Sequence, residues 1–351
     1  MRPLPLAALA LLGLALAACG KPAGDGAGKA PGGTEKVLNL YSARHYDSDQ
    51  QVYDAFEKKT GIRVRALEMA PAQMIERLKA EGAGSPADVV IIADAGSLWR
   101  AEQAGVFQKV ADPELDARIP AHLRDPEGRW WAFSRRARVI AYDKAKVRPQ
   151  EVATYASIAS PRFRGKVCVR SSDNPYNLSM MSALIEHWGR ARALAWAKGV
   201  AANFARQPSG GDIDQIRAVA AGACEVALTN SYYYLRLQGS PDPGDRAAAA
   251  KVALAFPEQA GVGSHVNVSG GGVAAGAPHR DAAIAFLRFL ASDDAQAMFA
   301  RGNNEFTAVP TAPMPPNVAA YAEFKADPIA LTKLGEHQAE AQAVFNDAGW
   351  R

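Results

Sequence analysis

The amino-acid sequence predicts an α/β protein built from two lobes. From Val37 onward, short apolar runs typical of strands alternate with segments whose apolar residues recur at helical spacing. Such alternation indicates sheets that are mostly parallel and are flanked by helices. The chain has 351 residues, of which 48% are hydrophobic, so it is long enough for two domains with cores of their own.

The first block of this alternation contains three strands and three helices. VLNLYS is typical of a strand, and the helix after it is capped by Asp47 or Ser48 and ends at Gly61. The strand IRVRAL and a helix that opens at Pro71 follow. The apolar strand DVVII then leads into a helix over residues 94–105.

The second block follows the alternating segment RARVIAY, which predicts a long strand over 136–142 that passes from one lobe to the other. Further strands are predicted near 166–171 and 225–230, and further helices over 179–188, 191–204 and 213–222.

The strand HVNVSGGGVAA and a single helix over 281–300 complete the pattern. We therefore expect two interleaved lobes joined by hinge strands. The first lobe is predicted to hold residues 37–136 and about 266–310, and the second about 137–265 and 311–351.

The N-terminal segment predicts export. Arg2 precedes an apolar run that is too short to span a bilayer, which indicates a secretory signal peptide over residues 1–18. The sequence LAAC at its end resembles the bacterial lipobox, so Cys19 is predicted to carry the lipid; the alternative is an ordinary cleavage site. Residues 19–36 are rich in Gly, Ala and Pro and are expected to form a flexible tether.

Composition and motifs exclude several classes of function. The chain carries 40 Lys and Arg against 36 Asp and Glu, and it has no basic stripe, so no nucleic-acid partner is expected. HExxH, P-loop and GxSxG motifs are absent. Gly270, Gly272 and Ala275 fit a dinucleotide pattern loosely, but Pro278 follows where a helix should open. We therefore expect that the protein is not an enzyme.

Tyrosines follow three of the predicted strands. Tyr46 comes after the first strand, Tyr176 after KVCVR, and Tyr232, Tyr233 and Tyr234 after EVALT. Ligands of α/β proteins bind outside the carboxyl ends of the strands. The sequence therefore predicts that these phenols meet in a cleft between the lobes.

Phenols in such a cleft point to a cation of high charge. A free phenol has a pKa near 10, but a trivalent ion beside it favours the phenolate, and hard oxygen anions suit a hard cation. This chemistry indicates ferric iron (Fe3+). Four phenolates exceed the charge of the ion by one, so arginines are expected nearby. The candidates are Arg236, Arg136, Arg44 and Arg206.

Two cysteines remain once Cys19 is set aside. Cys168 and Cys224 each lie eight residues ahead of a candidate ligand, Tyr176 and Tyr232. If their strands are neighbours, the two sulfurs lie at the same level, and an oxidising compartment favours a disulfide. Two buried free thiols are the alternative.

A family resemblance rests on seven stretches of the chain: LYSARHYDSD, SPADVVIIADAGSLWRAEQAGVFQ, FSRRARVIAYDK, RSSDNPYNLS, NFARQP, LTNSYYYLRL and HVNVSGGGV. In them the chain resembles the bacterial ferric-iron-binding proteins of ABC transporters, and in particular the members that bind iron through tyrosines without a synergistic anion. The resemblance implies a two-lobed periplasmic-binding-protein fold. It also implies iron ligation by Tyr46, Tyr176, Tyr232 and Tyr233, with His45 as a ligand in some members or conformations.

The resemblance further implies a monomeric, lipid-anchored receptor in the periplasm or at the extracytoplasmic membrane face. It would capture ferric iron and deliver it to an inner-membrane ABC permease. The segment NNEFTAVP departs from the family, in which a tyrosine and a proline are more common there. Two alternatives stay open: a receptor for a small anion, thiamine or a polyamine, and an extracytoplasmic metal-dependent hydrolase.

Overall fold

The computed structural model describes residues 36–44 and 46–351, which contain nine strands and fourteen α-helices. The strands are β1 (Val37–Ser42), β2 (Arg63–Glu68), β3 (Val89–Ile92), β4 (Trp131–Asp143), β5 (Val167–Cys168), β6 (Val226–Asn230), β7 (Val252–Ala255), β8 (Val266–Val273) and β9 (Phe306–Thr307).

The helices alternate with these strands through most of the chain. They are α1 (Asp49–Thr60), α2 (Pro71–Glu81), α3 (Ala95–Gln103), α4 (Pro113–Arg118), α5 (Pro175–Trp188), α6 (Arg190–Ala202), α7 (Asp212–Ala220), α8 (Ser231–Gln238), α9 (Pro243–Lys251), α10 (Arg280–Leu290), α11 (Asp293–Asn303), α12 (Pro316–Ala319), α13 (Leu331–Glu336) and α14 (Gln338–Ala348).

The strands form a mixed sheet with the order β2-β1-β3-β8-β4-β6-β5, and β7 and β9 also pair with β4. The outer pairs β1–β2, β1–β3 and β5–β6 are parallel, as the alternation of strands and helices predicts. The long strands β4 and β8 run antiparallel to all their neighbours. Parallel strands at both ends are therefore joined by an antiparallel centre.

Strand β4 contains the strand that RARVIAY predicts, and it extends beyond both ends of that segment. Its first half pairs with β8, and its second half pairs with β6 and β7. In the second half, alternate side chains enter two different cores: Ile140 and Tyr142 lie in one, and Val139 and Ala141 in the other. Helices therefore cover both faces of this part of the sheet.

A third hydrophobic core contains β1, β3 and α10. The C-terminal segment contributes to two cores, since Leu331 and Leu334 pack in this one whereas Phe345 and Trp350 pack with β4 and α5. The exact lobe boundaries given above remain a prediction.

Several elements differ from the sequence prediction. The single helix expected over 281–300 is two helices, because Ser292 adopts an extended backbone and its hydroxyl accepts a hydrogen bond from the backbone N–H of Ala295, so that it caps α11. The strand expected over 166–171 is only two residues long, and β7 was not predicted. None of the helices in the described ranges is long and apolar enough to cross a membrane.

Candidate metal centre

The candidate tyrosines lie where strands end and helices begin. Tyr46 lies between β1 and α1, Tyr176 in the first turn of α5, and Tyr232 and Tyr233 in the first turn of α8. Asn174 caps α5 by accepting a hydrogen bond from the backbone N–H of Tyr176 at 3.1 Å. This cap fixes the backbone of Tyr176 at the start of its helix.

The structure brings these side chains together. The phenol oxygens of Tyr46 and Tyr232 lie 3.3 Å apart, and the rings meet edge to face with centroids 6.3 Å apart. The rings of Tyr232 and Tyr233 have centroids 4.1 Å apart. Tyr232 is fully buried, whereas Tyr46, Tyr176 and Tyr233 are half-buried.

Tyr234 belongs to the hydrophobic core instead. Its hydroxyl donates to the carbonyl oxygen of Val252 at 3.1 Å, and its ring packs against Tyr321. Successive residues of a helix point in different directions, so α8 turns Tyr234 away from the pair before it. The structure therefore separates the third tyrosine of the run from the other two.

Three phenols of the cluster, those of Tyr46, Tyr232 and Tyr233, are neutral in the metal-free protein. Burial raises the pKa of Tyr46, Tyr232 and Tyr233 above that of a free phenol, and the proximity of Tyr176 raises all three further. Nearby arginines oppose this shift: Arg136 lowers the pKa of Tyr46 and Tyr232. The site thus needs a bound cation to form phenolates at neutral pH.

Three of the four predicted arginines contact the tyrosine rings. The guanidinium carbon of Arg236 lies 5.6 to 5.9 Å from the ring centroids of Tyr46, Tyr232 and Tyr233. Arg44 lies 4.8 Å from the ring centroid of Tyr46, and Arg136 lies 5.5 Å from that of Tyr176. Three cations therefore lie against the rings of the cluster.

The fourth predicted arginine, Arg206, has other partners. Its guanidinium donates to Gln215 at 2.9 Å and to the hydroxyl of Ser209. Arg170, which the sequence analysis did not single out, instead lies 5.9 Å from the ring centroid of Tyr176. Arg170 opens the RSSDNPYNLS stretch, so its position next to a candidate ligand loop was the available signal.

Sequence reasoning also missed a buried carboxylate. Glu305 is 1% exposed and lies between two arginines, with Arg44 Nη2 at 3.0 Å and Arg136 Nη1 at 3.3 Å. It lies in the segment NNEFTAVP, just before β9, far along the chain from both arginines. Nothing local in the sequence indicates this contact.

Cys168 and Cys224 form a disulfide, with their Cα atoms 5.9 Å apart. The bond joins β5 to the turn before β6, and these two strands are parallel neighbours. The loop that carries Tyr176 follows β5 directly after Cys168, and Tyr232 follows the carboxyl end of β6. The disulfide therefore ties together the supports of two candidate ligand loops.

Two further residues of the sequence analysis, His45 and Cys19, lie outside the described residues. Across residues 36–44 and 46–351, no group of three or more His, Cys, Asp and Glu side chains is placed to hold a metal ion. The phenols of the tyrosine cluster are oxygen donors of the kind that suits a hard cation. A cavity of about 410 Å3 adjoins it, bordered by Tyr46, Ser48, Asn303 and Arg236 among others.

An α/β fold in which polar side chains gather at the carboxyl ends of strands is typical of a solute-binding protein. This chain belongs to the bacterial extracellular solute-binding proteins, since the profile of that family matches residues 51–329.

Known relatives refine this assignment and confirm the resemblance seen in the sequence. Iron uptake protein A2 of Synechocystis is 48% identical over 318 residues, which are 90% of each chain. Iron uptake protein A1 of the same organism is 44% identical over 336 residues, covering 96% of this chain and 93% of the relative. A Trichodesmium FutA (IdiA) structure in complex with iron and citrate superposes with a TM-score of 0.86 at 48% identity, covering 90% of this chain and all of the other. The similarity confirms the periplasmic-binding-protein fold.

Proposed function

We propose that this protein binds ferric iron as its transported cargo in the cleft between its lobes and delivers it to an ABC permease. Tyr46, Tyr176, Tyr232 and Tyr233 are the proposed ligands, and His45 is a further candidate. The observation that carries the proposal is the convergence of four phenols from three strand-end loops, with arginines against their rings. The names of the relatives, which refer to iron uptake, support the same cargo.

Iron would enter by displacing protons. The buried phenols are neutral in the metal-free site, and each one that coordinates the ion loses its proton to become a hard anionic ligand. Arg236, Arg44 and Arg136 offset the excess negative charge of four phenolates. Because Tyr46 comes from one lobe and the other tyrosines from the second, iron would hold the lobes closed.

The proposal extends to the location of the protein. A lipid on Cys19 would hold the receptor at the extracytoplasmic face of the membrane, and the 19–36 tether would let it reach the permease. We expect a monomer whose function is transport and not catalysis. The permease would receive iron when reprotonation or opening of the lobes breaks the phenolate bonds.

Titration with ferric nitrilotriacetate tests this proposal. We expect a visible phenolate-to-iron absorption band that saturates at one iron per chain, and loss of most of that band in each of the variants Tyr46→Phe, Tyr176→Phe, Tyr232→Phe and Tyr233→Phe. Tyr234→Phe is the matched control, because its hydroxyl bonds to Val252 in the core; it should keep the band. A wild-type protein that stays colourless while binding a small organic solute would reject the iron cargo.

A further inference from the structure

Glu305 is an unexpected side chain in a site that must stabilise anions. It is a buried carboxylate, 1% exposed, and its charge helps to raise the pKa of Tyr46, one of the phenols that are proposed to become phenolates. Its two oxygens accept from Arg44 at 3.0 Å and from Arg136 at 3.3 Å. Those same arginines lie over the rings of Tyr46 and Tyr176.

The carboxylate of Glu305 therefore neutralises part of the positive charge that Arg44 and Arg136 present to the tyrosines. Arg44 is shared between Glu305 and Asp49, whose carboxylate accepts from Arg44 Nε at 2.7 Å. Arg136 has Glu305 as its carboxylate partner and also donates to Ser269 at 2.8 Å. Within the described residues, Glu305 is the acid that contacts both arginines.

The negative charge of Glu305 should disfavour the binding of iron. Iron(III) brings three positive charges into the site while four phenols release four protons, so the site becomes more negative by one charge. A fixed negative charge nearby opposes such a change, and a fixed positive charge favours it. If a neutral histidine also coordinates the ion, the site still becomes more negative by one charge. An additional anionic ligand makes the loaded site more negative still.

We infer that Glu305 is a positioning residue that limits the affinity of the site for iron; this inference rests on the iron cargo proposed above. It holds Arg44 and Arg136 over the rings of Tyr46 and Tyr176 and neutralises part of their charge. A transport receptor must release its cargo, and this carboxylate keeps the loaded state less stable than the arginines alone would make it.

The variant Glu305→Gln tests this role, because glutamine keeps the shape and removes the charge. We expect ferric iron to bind on the order of tenfold more tightly, measured by competition with nitrilotriacetate at fixed pH and followed by the visible band. The conservative variant Glu305→Asp keeps the charge and should return the affinity to within about threefold of the wild type. A side chain with a purely structural role would instead weaken binding when changed.

Asp49→Asn is the matched control. Asp49 is also buried and also pairs with Arg44, but it does not contact Arg136, so its change in affinity should be clearly smaller than that of Glu305→Gln. Unchanged or weaker binding by a folded Glu305→Gln protein overturns the inference. If the wild type itself shows no iron band, the proposed cargo is wrong instead, and the two failures are thereby distinguished.

The double variant Arg136→Gln with Glu305→Gln covers the case in which the single variant does not fold. It removes one charge of each sign, and Arg44 keeps Asp49 as its buried partner. The double variant should bind iron more tightly than Arg136→Gln alone, because it lacks the carboxylate that opposes loading. Equal or weaker binding by the double variant would overturn the inference.

Discussion

The hydroxyl oxygens of Tyr46 and Tyr232 lie 3.3 Å apart, although 186 positions separate the two residues in the chain. Both are neutral at neutral pH, because burial raises the pKa of each phenol. An apposition this close would be repulsive between two phenolates without a cation. The contact therefore fits a site that is protonated when free and becomes anionic only with its ion.

Iron binding is expected to weaken as the pH falls. The pKa values of Tyr46, Tyr232 and Tyr233 are raised in the metal-free protein, so these phenols are protonated at neutral pH and each must release a proton to coordinate iron. Protons therefore compete with iron, and acidification favours release. Proton release measured during iron loading in weak buffer checks the sign.

The variant Tyr233→Phe provides an internal comparison for that experiment. Tyr233 has a raised pKa and is protonated in the metal-free protein, so iron that still binds to this variant should release about one proton fewer than in the wild type. An iron affinity that does not change between about pH 6 and 8 would contradict ligation by phenols that ionise on binding.

Local sequence patterns were sufficient to find the tyrosine cluster. Strand signals followed directly by Tyr46, Tyr176 and Tyr232 place these residues at carboxyl ends of strands, and such ends converge in α/β folds. The resemblance to the ferric-iron-binding proteins implied that Tyr232 and Tyr233, and not Tyr234, belong to the site. The structure shows Tyr234 bonded to Val252 in the core.

Partners that come from distant segments could not be found this way. Arg206 is distant in the sequence from every candidate ligand, and only the fold shows that its guanidinium bonds to Gln215, whereas Arg170 lies over Tyr176. The contact of Glu305 with Arg44 spans 261 positions. Local periodicity carries no information about such pairs.

Arg236 should contribute to iron affinity through its charge. Its guanidinium lies within 6 Å of three tyrosine rings, where it stabilises phenolates. We expect Arg236→Gln to weaken iron binding on the order of tenfold in a competition titration. Arg206→Gln is the comparison, since Arg206 bonds to Gln215 and Ser209, and it should bind iron like the wild type. Equal losses in both variants would mean that the ring contacts of Arg236 have no special role.

The disulfide is expected to stabilise the second lobe. Cys168 and Cys224 are 56 positions apart, and closing a loop of that length lowers the entropy of the unfolded chain by an amount equivalent to about 4 kcal/mol. The double variant Cys168→Ser with Cys224→Ser should lose a comparable free energy of unfolding in urea. Reduction of the wild type should reproduce the loss, and a midpoint unaffected by either treatment would show that the bond does not stabilise the fold.

The glycine run in β8 reflects close packing and not a nucleotide site. A Cβ atom added to Gly272 would lie 1.9 Å from the carbonyl oxygen of Arg129, and one added to Gly271 would lie 2.3 Å from that of Val90. The neighbouring backbones therefore approach β8 too closely for any side chain at these positions.

The variant Gly272→Ala should consequently lower the free energy of unfolding by about 1 to 3 kcal/mol or more, because backbone must shift to admit the methyl group. Gly84→Ala is the matched control, since a Cβ atom there meets nothing within 4 Å. Thermal unfolding of both variants compares the two positions directly. Equal unfolding temperatures would mean that the close approach of Arg129 to β8 does not require glycine at position 272. Because β8 pairs with both β3 and β4, the packing described for the centre of the sheet would then be wrong.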